Sequence, residues 1–522
     1  MPAIISDKFR LMNAETFVKS FVSVGNTSNN YYTFIGQPNS SNLQANGTSD
    51  WTTNVPPPLD GFKEESEIKE TILSLKRVTN DDVRRIVRKV NWNSGETYEM
   101  YRHDYSIYNL TPNTNSSSLY ESNFYVINED FRVYVCLQNG TDPENLNGRP
   151  SIDQPLFVDL EPRAAGTSGD GYIWKYLYTI KPNEIIKFDS IEFIPVPENW
   201  GAEGSESFSV KNNSINGNIK IINIRNRGIN YQPISKSFSN IPILGDGTNG
   251  KATVTVDSFG KVSEIFVTDG GENYTKGFIR FEPGAPGIPS ELTNDGTIAE
   301  FNVIIPPAGG HGYDIYKELG AYRVLLYSRY KTDDSNPDVI VGNDFSRIGI
   351  LKNPEKLGGD RITESEISAL NSLKLTGTAT TLTNYAVDSI ITQTIGSGST
   401  AIGFVASWDN ITGVLKYYQP VGLATGRVSY KINQFTSSPA TGGSLLINCD
   451  NISGSVLSID SSFNGTSAVI NNRTYQLGSN FISGISSSEY DKKSGDIIYI
   501  DNRQPVPRTK SQKEDIKIVL EF

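Results

Sequence analysis

Residues 169–180 read GDGYIWKYLYTI, and in Tyr172-Ile173-Trp174-Lys175-Tyr176 a large aromatic falls on every second position. A strand sends successive side chains to opposite faces, so Tyr172, Trp174 and Tyr176 share one face. Ile173, Leu177 and Ile180 do not form a clean apolar face of their own, which favours the aromatic stripe as sheet core over an exposed contact patch. The same alternation recurs in FRVYVCL (131–137), KATVTV (251–256), DIIYI (496–500) and IKIVLEF (516–522), with Gly, Asn, Asp and Pro between the runs. Many short alternating segments with turn residues between them predict a mainly β chain.

Helical periodicity is sparse. Asn13 is expected to cap a short helix presenting Phe17, Val18, Phe21 and Val22. EESEIKETILSL (64–75) predicts a second, with Ile68, Ile72 and Leu75 on one side. Thr363 and Glu366 fit the capping box T-x-x-E ahead of Ile367, Leu370 and Leu373, predicting a third.

The chain has 522 residues, with 47 Lys and Arg against 58 Asp and Glu, a net charge of -11. That length suits about three domains of ~150 residues. An acidic balance argues against broad nucleic-acid or anionic-membrane binding, since both need a positive field. Two Cys (Cys136, Cys449) and two His (His103, His311) are too few for a disulfide framework, and a zinc site would need all four to converge. The opening MPAIISDKFR lacks the charged and apolar regions of a signal peptide. The uncharged run near Ser389–Trp408 is too polar to span a membrane. Synthesis in a cytoplasm is therefore expected, and sequons such as Asn46-Gly47-Thr48 carry no glycosylation message.

Two middle regions differ from the rest. Ile222–Tyr231 (INIRNRGINY) aligns with Ile265–Tyr274 (IFVTDGGENY) at an offset of 43 residues, each a strand ending in a Gly turn and an aromatic. Two copies do not make a solenoid; a small β domain with two related hairpins is expected. The block from about Thr376 to Phe481 carries almost no charge, and GSGSTAIGFVASWDNITGVLKYYQP (396–420) reads as strand, turn, strand with Asp409-Asn410 in the turn.

Motifs that could carry chemistry read more simply as structure. Gly245-Asp246-Gly247-Thr248-Asn249-Gly250 matches G-x-G-x-x-G but leads into a strand, whereas a dinucleotide site needs a helix there. Gly309-Gly310-His311-Gly312 offers a histidine with no identifiable nucleophile or carboxylate partner. Cys136 lies inside an alternating strand and reads as a small core residue. The basic run Arg84-Arg85-Ile86-Val87-Arg88-Lys89 follows Asp81 and Asp82 and is expected to be solvated or partner-facing. The carboxylates are too scattered to nominate a glycosidase pair. No catalytic, cofactor-binding or metal-binding residue is assigned, and no cofactor is expected.

Several stretches, in order, resemble one family. Ser6-Asp7-Lys8-Phe9-Arg10, VRRIVRKVNWNSGETYEMY (83–101), FYVINEDFRVYVCLQN (124–139), Gly169–Leu177 with Pro195-Val196-Pro197, GNDFSRIGILKNP (342–354) and GDIIYIDNRQPVPRTKSQKEDIKIVLEF (495–522) are similar to the baseplate wedge protein of T4-type contractile-tailed phages, the gene product eight family. The resemblance covers about 1–200, 313–355 and 485–522, leaving 211–305 and 376–481 as β insertions. It implies a layered β-sandwich core with a few short helices, arranged as core 1–205, an inserted module 206–310, core 311–360, a second module 361–484 and C-terminal core strands 485–522.

The resemblance also implies a non-enzymatic homodimer in the virion baseplate, contacting other wedge subunits and taking part in the rearrangement that triggers sheath contraction. The family-motif residues, structural or interfacial, are Trp92, Gly171, Tyr172, Trp174, Tyr176, Asn502, Arg503 and Pro505. A receptor- or glycan-binding tail protein is the alternative that the Asn-, Ser- and Gly-rich β regions suggest, and a glycan-cleaving virion enzyme is a third. In 516–522 one face is fully apolar (Ile516, Ile518, Leu520, Phe522), so this strand is expected to dock in the core sheet beside DIIYI, and its removal to abolish folding.

Overall fold

Tyr172–Thr179 is a strand, in a three-stranded antiparallel sheet of order Tyr125–Ile127, Arg132–Asn139, Tyr172–Thr179. The computed structural model describes residues 4–21, 29–37, 51, 53–331, 343–377, 384–419, 433–509 and 512–522. Tyr172, Trp174 and Tyr176 are buried, as the alternation predicts, but so are Lys175 and Leu177 on the other face. The strand stands at the end of the sheet order, and Trp174 and Arg163 exchange two backbone hydrogen bonds of 3.0 Å, so its outer edge is not left bare. Tyr172 stacks on Trp174 with ring centroids 5.3 Å apart, and Tyr98 meets the indole edge-on at 5.9 Å.

By contacts the chain divides into two units, Met1–Val18 with Arg84–Leu325 and Val519–Phe522, and Lys19–Val83 with Leu326–Ile518. In the first, the aromatic sheet anchors one apolar core. Residues 219–305 enclose another, which includes Tyr231, Phe238, Val254, Tyr274 and Phe281.

Inside that second core the sequence repeat has a geometric meaning. Asn226 Oδ1 accepts the Gly228 N–H and Asp269 Oδ1 the Gly271 N–H, each at 2.9 Å. Both glycines and the following Asn230 and Asn273 have positive φ, a turn that Gly and Asn tolerate best. Each turn delivers a tyrosine inward. Tyr231 Oη donates to Phe281 O at 2.9 Å and Tyr274 Oη to Ile243 O at 2.8 Å. The two copies are not both hairpins, however. Val262–Asp269 pairs with its predecessor Lys251–Val256, whereas Ile222–Asn226 pairs with the distant Glu300–Val303. The second copy sits inside the first, and the matching Asp246-Gly247-Thr248 and Asp295-Gly296-Thr297 turns lead into the two partner strands.

The second unit is built on a five-stranded antiparallel sheet of order Glu366–Ser368, Ile72–Val78, Tyr31–Gly36, Asp344–Lys352, Asp496–Pro507. Gly349 faces Phe34, and a Cβ there would lie 2.3 Å from the ring. The low-charge block forms a seven-stranded sheet around Leu373, Tyr385, Val405 and Tyr417. Its central turn is made as expected. Asp409 accepts Ile411 N–H at 2.9 Å and the Thr412 hydroxyl at 2.6 Å between the strands Ser399–Asp409 and Val414–Tyr418. Pro420, at the end of the quoted stretch, lies outside the described residues.

The helices differ from expectation in each case. The first runs Asp7–Lys19, so Asn13 is interior and Asp7 occupies the first turn; Val22 lies outside the described residues. The second ends at Thr71, and Ile72–Val78 becomes a strand between two others, which buries Ile72, Leu73, Ser74 and Leu75 together and removes any one-sided pattern. The third does not form. Glu366 is drawn across the sheet to the Lys76 ammonium and Ile367 stands opposite Leu75, so strand pairing overrides the capping signal.

The C-terminal strand runs Lys513–Glu521, and its neighbour is Arg323–Lys331 rather than DIIYI, which belongs to Asp496–Pro507 and pairs with Asp344–Lys352. Side chains explain the choice. In the second unit Asp515 accepts from Tyr327 Oη at 2.9 Å and Arg329 Nη2 at 2.7 Å. In the first, Arg323 pairs with Glu521 at 3.1 Å and Phe522 packs on Phe17, centroids 5.3 Å apart. Ile516 and Ile518 are buried, while Leu520 and Phe522 are half-buried. Ile518→Ala should therefore lower stability by about 2–5 kcal/mol, measured by urea unfolding, and Lys517→Ala by much less; equal effects would mean that the strand is not packed by its apolar face.

Candidate functional site

The basic strand Val83–Arg88 is expected to be solvated or partner-facing; the structure instead engages its cations within the unit. Ile86 and Val87 bury the strand on both faces, so its cations are drawn inward and paired. Arg84 Nε meets Glu184 at 3.0 Å and its Nη2 meets Glu198 at 3.0 Å. The Arg85 guanidinium lies 3.2 Å from the Tyr316 ring centroid, Arg88 donates to Ser122 O at 2.8 Å, and Lys89 holds Asp189 at 2.9 Å. A buried pair of this kind is costly to break because the remaining charge is left without its counterpart.

The other motifs also resolve into scaffold. Asp246 of the glycine-rich loop accepts from Thr275 Oγ1 and from the Thr275 and Lys276 amides, which brings its carboxyl down to about 2, and the loop leads into a strand. His311 is buried with Nδ1 2.6 Å from Glu318, whose other oxygen accepts the Gly312 N–H at 2.7 Å. His103 accepts the Ile305 N–H at 3.2 Å. Burial pushes both cysteine thiols up, furthest at Cys136 in its strand. Among the described residues no three His, Cys, Asp or Glu side chains gather as metal ligands, and no helix is long and apolar enough to cross a membrane.

The family-motif residues fall in both units. In the first, Trp92 is half-buried and donates from Nε1 to Ser151 Oγ at 3.0 Å. Gly171 has φ near +86° and a Cβ there would lie 2.7 Å from Gly140 Cα, so two chain segments meet through glycine. Tyr172, Trp174 and Tyr176 are core. In the second unit Asn502 is bracketed by Arg347 Nε at 3.2 Å and Pro56 O at 3.0 Å, and burial pushes the Arg347 guanidinium down to about 10. Arg503 is exposed against Asp501 at 2.6 Å. Pro505 sits in the strand at the end of the sheet order, a place that tolerates a residue with no N–H.

Among the clefts that remain as surface features of the described residues, two are notable. One, of 460 Å³ in the second unit, lies among Phe345, Tyr499, Arg503, Val506 and Ile516. The other, of 180 Å³ in the first unit, is formed by the segments after Met100 and after Asn139 and by Asn223–Arg225 of the strand Ile222–Asn226. No motif pointed to the second cleft, because Arg102, Asn139 and Asn223 lie far apart in sequence and each is an ordinary loop or strand residue by itself. Neither a family model nor a curated protein matches the chain.

The chemistry of these groups is that of a cross-braced frame. Arg84→Ala should cost about 3–5 kcal/mol of folding stability. Arg163→Ala, which removes an ion pair open to water on both sides, should cost under about 1 kcal/mol. Urea unfolding of the two variants checks this; similar small losses would show that the basic strand is effectively solvated.

Proposed function

We propose that the chain is a non-enzymatic structural subunit of a contractile-tail bacteriophage baseplate wedge. It is made in the host cytoplasm, assembles as a homodimer with other wedge subunits, and contributes to baseplate assembly and to the rearrangement that triggers sheath contraction. The observation that carries this reading is the ordered series of family-like segments from Ser6 to the strand Lys513–Glu521. It is supported by where those segments lie. Tyr125–Ile127, Arg132–Asn139 and Tyr172–Thr179 are core strands of one unit, and Asp344–Lys352 and Asp496–Pro507 are paired strands of the other. A subunit that holds a fixed shape through assembly needs such segments more than it needs a reactive surface.

Residues 206–310 and 361–484 are in this reading modules inserted into the family frame. Each region holds an apolar core of its own, which supports it, since such a region can be gained without rebuilding its host, while Val210 and Ile304 also pack into the core of the aromatic sheet and Ile362 and Ile367 into that of the five-stranded sheet.

Light scattering of the purified chain at micromolar concentration should report about twice 57.5 kDa. Electron microscopy of the virion should place the chain at the end of the tail. A monomer throughout that range argues against the dimer, and location in a fibre or the capsid overturns the wedge reading.

A further inference from the structure

The first helix, Asp7–Lys19, is apolar on two sides. One side is packed. Leu11 and Ala14 are buried, Phe17 lies on Phe522 with centroids 5.3 Å apart, and the Arg10 guanidinium is 5.6 Å from the Tyr322 ring centroid. The other side faces out. Phe9 is 48% and Met12 52% exposed, and just before the helix Ile4 and Ile5 are 92% and 61% exposed. Exposed apolar groups gathered in this way mark interaction sites, whereas scattered single ones need no explanation.

The spacing indicates what covers them. Phe9, Met12 and Thr16 follow one another at three and four residues, the repeat of a seam between two helices. Thr16 fits such a seam because its hydroxyl is already used, donating to Met12 O at 2.8 Å. The flanks carry opposite charges, Lys8 beside Phe9 and Glu15 beside Thr16, and Glu15 also faces Lys317. A second copy of the helix can lie antiparallel, with the two-fold axis between Phe9 and Met12. Phe9 then meets the partner's Met12, and Met12 the partner's Phe9. The same arrangement brings Lys8 within reach of the partner's Glu15 at both ends and opposes the two helix dipoles. The chain's net charge of -11 weighs against an anionic membrane as the cover.

We propose that this face is a homodimer contact, in which Asp7–Lys19 packs antiparallel on the same helix of a second copy. The proposal gives a surface to the dimer of the wedge reading and rests on that dimer, not on a place in the tail. One helix pair of this length is small beside the ~1,200–2,000 Å² of a standard interface, so a dimer in exchange with monomer is expected.

Sedimentation equilibrium of the full chain between about 1 and 100 μM tests it. The unmodified chain should dimerise in that range. Phe9→Asp and Met12→Lys, both at exposed positions, should each weaken dimerisation ~10-fold or more. An equimolar mixture of the two variants should restore it. The introduced carboxylate then faces the introduced ammonium, while the other layer keeps Phe9 on Met12. Lys8→Glu, at an exposed position, should weaken it ~3-fold and decides the matter should either variant fail to fold. A dimer indifferent to the folded variants, or no recovery in the mixture, overturns this contact and leaves the wedge dimer to another surface. A monomer throughout overturns the contact and the dimer together, and flotation of that monomer with phosphatidylcholine vesicles would assign the patch to a membrane instead.

Discussion

The fold depends on buried tyrosines whose hydroxyls reach backbone carbonyls of neighbouring segments, most of them irregular chain. Loops carry backbone groups that no ladder satisfies, and a buried one left alone costs ~1–3 kcal/mol. Tyr98 donates to Asn91 O at 3.0 Å, Tyr125 to Arg88 O at 2.8 Å, Tyr134 to Phe157 O at 2.6 Å and Tyr172 to Arg149 O at 2.7 Å. Tyr330 to Thr33 O at 2.8 Å and Tyr385 to Ile447 O at 3.0 Å repeat the device in the second unit. In each case the ring fills core; at Asn91, Phe157, Arg149 and Ile447 the tip anchors chain outside the regular strands, and at Arg88 and Thr33 it reaches the carbonyl of a neighbouring strand. Burial pushes these phenols up, Tyr98 and Tyr385 to about 12, so they stay protonated and remain donors across the physiological range.

Carboxylates and cations play the same part where a loop offers amides or where two strands meet. Glu99, fully buried, accepts the Asn113, Thr114 and Asn123 amides at 2.9, 2.8 and 3.1 Å and so gathers the 111–123 segment. Arg508 and Glu514 form a two-point pair, both contacts 3.0 Å, from the end of one strand to the start of another. Lys175 reaches Leu160 O at 2.7 Å, and burial holds its ammonium below the ordinary lysine range. Polar side chains are thus spent on fixing shape, which is the physical content of the proposed structural role.

How far the sequence revealed this differs from element to element. Strands at 172–180, 131–137 and 251–256 were legible because alternation is a local property and the apolar positions have the right chemistry for a pleated sheet. The repeat around Tyr231 and Tyr274 was legible as well, because its turns depend on Gly and Asn next to a tyrosine. The capping box at Thr363 misled, since Glu366 and Ile367 are claimed by Lys76 and Leu75, whose positions no local pattern reveals. The basic run misled for a related reason: its neutralising carboxylates, Glu184, Asp189 and Glu198, lie about a hundred residues on. The partner of the C-terminal strand is likewise set by Asp515 and Glu521, which find Arg329 and Arg323 only in the folded chain.

Hydrogen exchange on the Tyr172→Phe variant tests most directly whether tyrosine tips hold this structure. Tyr172 Oη both donates to Arg149 O and accepts the Tyr98 N–H at 2.9 Å. Loss of a hydrogen bond worth about 1 kcal/mol should speed exchange of the Tyr98 amide and of amides near Arg149 by ~5-fold or more, with the far strands unaffected. Protection at Tyr98 and around Arg149 equal to that of the unmodified chain would contradict the account.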